Sequence, residues 1–208
     1  MRKRLLLSLI ALAAAASTAA SAADADLSAA RQEINAAASE IKTMRCDFTQ
    51  TKHMSMLNDK MVSKGIMAYS SGDRLRWEYQ SPYTYVFILN NSKVMLGHDS
   101  RTDIIDVNQS KIFKEIATIM MGSVVGNCLD DDGFDTTIEA SSTEWVATMI
   151  PKKKTIKQMF AKIVLHFSRQ KAMVTKVELL EKTGDTTVID LYNAEINIPV
   201  DESLFNID

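Results

Sequence analysis

Glycine and proline are scarce in this chain. With 7 Gly and 3 Pro in 208 residues there is no Gly- or Pro-rich linker, and neither a repeat nor a low-complexity tract interrupts the sequence. Histidine is scarcer still. His53, His98 and His166 fall on separate predicted strands or turns, and none has metal-ligand spacing. His98 with Asp99, Asp103 and Asp106 reads as a polar turn. There is no Gly-x-Ser-x-Gly, no glycine loop that could cradle a phosphate and no dinucleotide fingerprint. Neither an enzyme, a metal site nor a cofactor is expected. Basic excess is also missing: 24 Lys and Arg stand against 26 Asp and Glu, a net charge of −2. A nucleic-acid partner, which demands a basic face, is therefore excluded.

Long apolar runs are missing after the first residues. Met1-Arg2-Lys3-Arg4 is a basic n-region, Leu5 to Ala16 an apolar h-region, and Ala20-Ser21-Ala22 supplies small residues for cleavage. The run is too short to span a bilayer, and no second run of about 20 apolar residues follows. Residues 1–22 are expected to be a cleaved signal peptide and residues 23–208 a single exported domain. No Cys follows the cleavage region, so lipidation there is not expected. Arg2, Lys3 and Arg4 leave with the signal, and the remaining chain is more acidic than the whole. Such a surface is unsuited to lying flat on an anionic membrane.

Only 2 cysteines are present, Cys46 and Cys128. In an oxidising compartment such a pair is a candidate disulfide, worth about 4–5 kcal/mol in the chain-entropy model. The alternative is two unlinked buried thiols. Asp130-Asp-Asp-Gly133 has part of a calcium-loop pattern, but Cys128 would occupy its first position and no helix pair flanks it. A solvated turn is the simpler reading.

What is present is alternation. In Arg74-Leu-Arg-Trp-Glu-Tyr79, Leu75, Trp77 and Tyr79 share one face and Arg74, Arg76 and Glu78 the other, the pattern of a strand with one apolar side. Ser81-Pro82 breaks it, and a second strand is predicted from Tyr83, with Tyr85, Phe87 and Leu89 on its face. Further strands are predicted over 45–52 (Cys46, Phe48 and Gln50 on one face), 61–70, 93–97, 102–107, 135–140, 144–150, 161–168, 173–182 and 186–196. Closely spaced turn signals leave room only for meander connections. Two substantial helices are predicted. One runs over 24–43 with Leu27, Ala30, Ile34, Ala37, Ala38 and Ile41 in a stripe. The other runs over 109–125, with Ser110 as N-cap and Ile112, Phe113, Ile116, Ile119, Met120 and Val124 on one side. A short helical piece is expected near Met159, and a final helical turn pinned by Leu204, Phe205 and Ile207. The fold class is α+β, mainly β. Ten or eleven antiparallel strands must curl or close, with the helices over one mouth or face.

Pattern alone fits both an ordinary sheet on a filled core and a sheet whose aromatic face (Phe48, Leu75, Trp77, Tyr79, Tyr85, Phe87) lines a cavity. The 12 methionines fit both as well, since flexible thioethers fill cores and also adapt to flexible ligands.

The order of features narrows this. A signal peptide and helix are followed by Phe48-Thr-Gln50, a strand pair, Arg74-Leu-Arg-Trp-Glu-Tyr79 with Pro82, a strand ending at Asn90-Asn91, and an apolar helix from Ile112 to Met121. Over nearly the whole mature chain this resembles the LolA family of periplasmic outer-membrane lipoprotein carriers. The resemblance implies an unclosed β-barrel of about eleven strands with helices forming a lid over a hydrophobic cavity. It implies a monomeric periplasmic carrier that takes acylated lipoproteins from an inner-membrane ABC transporter to the outer membrane, and to an acceptor there if one is present. Leu75, Trp77 and Tyr79 match the family's cavity-facing strand, and Ile116, Ile119 and Met120 its central lid helix, in which Ile112 also falls. Where the family often carries a lid-closing arginine, six residues before the tryptophan, this chain has Ser71; Arg74 is the nearby candidate latch. Asn90-Asn91-Ser92 stands where the family has Asp-Gly. The alternative is a related periplasmic protein that binds another lipid or senses lipoproteins.

Overall fold

The computed structural model describes residues 28–98, 101–125, 127–171 and 173–207. The expected signal peptide and the first residues of the N-terminal helix lie outside the described residues. That helix, α1, occupies residues 28–40. Six strands follow as a meander: β1 Thr43–Met54, β2 Asp59–Ser70, β3 Arg74–Ser81, β4 Tyr85–Asn90, β5 Lys93–His98 and β6 Arg101–Asp106. A helix, α2 (Lys111–Val125), precedes β7 (Phe134–Ala140) and β8 (Glu144–Pro151). A short helix, α3 (Lys154–Met159), leads into β9 (Phe160–Ser168), β10 (Met173–Glu181) and β11 (Thr186–Ile196).

The strands form one 11-stranded antiparallel sheet in the order β6-β5-β4-β3-β2-β1-β11-β10-β9-β8-β7. The second meander runs back so that β11 pairs with β1, with Phe48 opposite Leu191 and Thr51 opposite Val188. Among the described residues, strands β6 and β7 are left as unpaired edges. The sheet is not closed. The chain between those edges contains α2, which rests against β10 and α3.

Period two places the core. Inward residues of β1 to β5 (Met44, Cys46, Phe48, Met67, Leu75, Trp77, Phe87, Leu89 and Val94) gather with Ala117 of α2 in one buried cluster. Inward residues of β7 to β10, among them Trp145, Leu165 and Phe167, gather with Ala30 and Ile34 of α1 in a second. Ile189 and Leu191 of β11 pack against both. A third, smaller cluster lies on the other face, where Phe205 of a 3-10 turn (Glu202–Phe205) covers Ala68 and Ile88, as the apolar C-terminal residues predict.

Several expectations are corrected. Tyr83 lies in the β3–β4 turn, because the chain pairs again only from Tyr85 opposite Tyr79. Residues 107–109 form a 3-10 turn, and α2 begins at Lys111. Cys46 is a free, buried thiol, which corrects the expected bridge to Cys128. It packs in the first cluster, whereas Leu129, the neighbour of Cys128, packs in the second; the Cys128 side chain itself lies outside the described residues. Asp130 and Asp131 lead into a turn where one was expected, with the Asp130 side chain 57% exposed. Asp130 accepts from Asn35 and Arg31 of α1, and Asp131 lies 3.6 Å from the Lys153 ammonium.

Candidate apolar cavity beneath helix α2

An aromatic ladder forms one wall. Phe48 stacks on Trp77 at 4.2 Å between centroids and meets Tyr79 edge-on at 5.2 Å. Tyr79 continues to Tyr83 at 5.8 Å and Tyr85 at 6.1 Å. A glycine makes this possible. Gly65 of β2 stands opposite Phe48, where a Cβ would lie 2.7 Å from the Phe48 ring and would collide with the Glu78 carbonyl oxygen. The missing side chain leaves room for the Phe48 ring.

Above this wall is a cavity of about 260 Å³. Gln50, Trp77, Tyr79, Tyr85 and Phe87 line it from β1, β3 and β4, Ile116, Ile119 and Met120 from α2, and Phe160 and Leu179 from β9 and β10. Strands β4 and β9 stand far apart in the sheet order, so one cavity can touch both only because the sheet curls. The lining is apolar apart from the Gln50 amide, the tyrosine hydroxyls and the Trp77 indole N–H, which hydrogen-bonds to Tyr79. The Tyr79 hydroxyl donates to Gln50 Oε1 at 2.9 Å, which satisfies a polar group in an apolar setting. Burial pushes the Tyr79 phenol up from its ordinary value; burial and Asp103 do the same for Tyr85. Both hydroxyls stay neutral at physiological pH.

Trp77, Tyr79, Tyr85, Phe87, Ile116, Ile119 and Met120 are thus brought together from sequence positions far apart. Phe48 and Leu75 are not on the lining: both are fully buried, Phe48 beneath Trp77 and Leu75 in the filled part of the core. The Ile112 side chain lies outside the described residues. Arg74 does not reach the lid. It lies on the outward face of β3, where it pairs with Glu202, donates to the Ser71 carbonyl at 2.8 Å and sits over the Phe205 ring. Alternation decides this, since neighbours of an inward Leu75 must point out. The helix is held elsewhere, by the Lys153 ammonium 3.4 Å from Glu115 of α2. Phe160 and Leu179, which sequence reading did not single out, were visible only as members of alternating strands. Gln50 was visible in the Phe-x-Gln pattern without its hydrogen bond.

Residues 39–208 match the family described as outer membrane lipoprotein carrier protein LolA. The chain belongs to the LolA family. No curated protein matches it. Among solved structures, it is similar to an uncharacterized conserved protein from Thermus thermophilus, at TM-score 0.55 and 9% identity over 85% of this chain and 93% of that one. It is also similar to a LolA superfamily protein from Nitrosomonas europaea, at TM-score 0.45 and 10% identity over 85% of this chain and 97% of that one. A further likeness is to the lipoprotein LppX of Mycobacterium tuberculosis, at TM-score 0.48 and 8% identity over 86% of this chain and 98% of that one. At these identities the likeness is one of fold. Among the described residues of this LolA-family chain, no helix is long and apolar enough to cross a membrane, and no group of three or more His, Cys, Asp or Glu could hold a metal ion.

Proposed function

We propose that this chain is a monomeric periplasmic carrier that shelters the acyl chains of lipoproteins on their way to the outer membrane. The observation that carries the reading is the apolar cavity between the aromatic strands and α2. The exported location rests on the signal-peptide pattern of residues 1–22 and on the family. Cargo would come from an inner-membrane lipoprotein-sorting ABC transporter and pass to the outer membrane, or to an acceptor there. Carriage is needed because an acyl chain in water costs about 0.8 kcal/mol per CH₂, roughly 12 kcal/mol for sixteen carbons. Transfer through water without shelter is then very slow.

At about 260 Å³ the cavity lies just under the ~300–1,000 Å³ typical of ligand pockets. It corresponds to a closed state, and α2 swings aside to admit a chain. Such a two-state arrangement lets cargo be loaded and released without exposing it. Uptake of a hydrophobic fluorophore, displaced by an acylated peptide, tests the reading. Trp77→Asp and Ile119→Glu each put a carboxylate on the lining and are expected to weaken uptake about tenfold or more with the fold retained. Unchanged affinity in both variants counts against the cavity as the binding site.

A further inference from the structure

The end of the sheet that holds the cavity also carries an exposed apolar point. Cavity-lining Gln50, Tyr79 and Leu179 lie near the hairpin ends of β1, β3 and β10. At that end the β1–β2 hairpin outruns β3, while β11 follows β1 as far as His53. Strand β3 stops at Ser81, opposite Lys64, while β1 and β2 stay paired out to Met54 and Asp59. The turn beyond presents Met56 and Leu57, which are 92% and 70% exposed, and Val62 on the projecting part is 41% exposed. Two adjacent large apolar side chains this open do not contribute to folding.

The turn that presents them is braced. The Ser55 backbone N–H and hydroxyl both donate to Asp185 Oδ1, at 2.9 and 3.1 Å. The Lys52 ammonium donates to Glu181 Oε1 at 2.7 Å and lies 3.7 Å from Asp185. The Met56–Leu57 pair is therefore held out from the body by a tied-down hairpin.

Charge points to the partner. In a chain of net charge −2, the projecting hairpin carries Lys60 and Lys64 with Asp59 as its acid, and among the described residues neither lysine has an ion-pair partner. Lys60 and Lys64 are exposed on the outward side, while Met54 and Met61 continue the side of β1 and β2 that leads to Gln50 and the cavity.

We propose that this hairpin tip touches an anionic phospholipid bilayer. Met56 and Leu57 enter the headgroup boundary, Lys60 and Lys64 meet phosphates, and the cavity end of the sheet is brought against the membrane. Contact through a tip is compatible with an acidic body, which rules out only a flat approach. The proposal goes beyond acyl binding and does not need it.

Sedimentation of the protein with vesicles of phosphatidylethanolamine and phosphatidylglycerol tests this. The unaltered protein is expected to co-sediment, less so at high salt. Met56→Ser with Leu57→Ser is expected to lower binding about tenfold or more, and Lys60→Glu with Lys64→Glu to remove the salt dependence. Leu57→Trp supplies a signal that does not depend on loss: emission from the introduced indole should shift to the blue on adding vesicles. The proposal is overturned if the unaltered protein stays in the supernatant, if the double serine variant binds equally, or if the indole emission does not move. It is also overturned if the serine substitutions instead abolish a self-association. Fluorophore uptake in solution should be unchanged in the serine variant. Failure of uptake in every form sinks the carrier reading and leaves the vesicle result standing.

Discussion

At residue 65 a single missing Cβ decides whether Phe48 can lie under Trp77. An alanine there would run into the Glu78 carbonyl oxygen, a backbone atom that cannot move aside cheaply. Gly65→Ala is expected to destabilise the protein by about 2–4 kcal/mol, through overpacking and displacement of the Phe48 ring. Urea unfolding checks the value, and a stability within about 0.5 kcal/mol of the parent would refute the argument. Cys46 offers a second residue-level test. Burial, with a smaller effect of Asp47, pushes its thiol up to about 12 from an ordinary 9.0. Three units leave about a thousandfold less thiolate near neutrality. In a Cys128→Ser variant, a thiol reagent at about pH 8 should therefore label Cys46 slowly in the folded protein and rapidly in urea. Fast labelling of the folded form would contradict the buried position.

Helix α2 is where one element must serve two demands. Its inward side places Ile119 and Met120 on the cavity and Ala117 in the first cluster, and under the proposed carrier function the helix must still be able to leave. What holds it from outside is slight. Lys153 is 42% exposed at its side chain and reaches Glu115 at 3.4 Å and Asp131 at 3.6 Å. Glu115 and Asp131 are only 12% and 21% exposed, but the Lys153 end is open to solvent, so each pair contributes on the order of 1 kcal/mol. Lys153→Ala is thus expected to change global stability little. It should speed fluorophore uptake severalfold, because the closed arrangement of α2 loses its tie. Stopped-flow uptake at low and high salt is the measurement. Equal rates in parent and variant would show that this ion pair does not restrain the helix.

For the molecule as a whole, chain order and spatial order are tied by one closing contact. The first meander runs outward from β1 to β6, and the second returns from β7 to β11 and docks on β1. The sheet can then curl around an interior while keeping two edges, and α2 lies in the segment joining them. Much of this was readable beforehand, since Trp77 and Tyr79 alternate with Arg76 and Glu78, and α2 carries an apolar stripe at helical spacing. Depth was not readable. Phe48, Leu75 and Trp77 look equivalent in sequence, yet only Trp77 reaches the cavity, because curvature and the hollow at Gly65 set how far each side chain stands from α2. The same limit applies to pairing. Arg74 was near enough in sequence to be a latch, but its side chain lies across the sheet from α2, against Glu202 from the C-terminal turn.

Local preferences, acting over a few residues, already determined the strands, the two main helices and the sidedness of each, because backbone period and turn chemistry are short-range properties. Which greasy side chains are left facing empty space, which thiol stays single and which charge restrains the helix were decided only when distant segments met. Those outcomes depend on distances between residues far apart along the chain, and no local pattern records them.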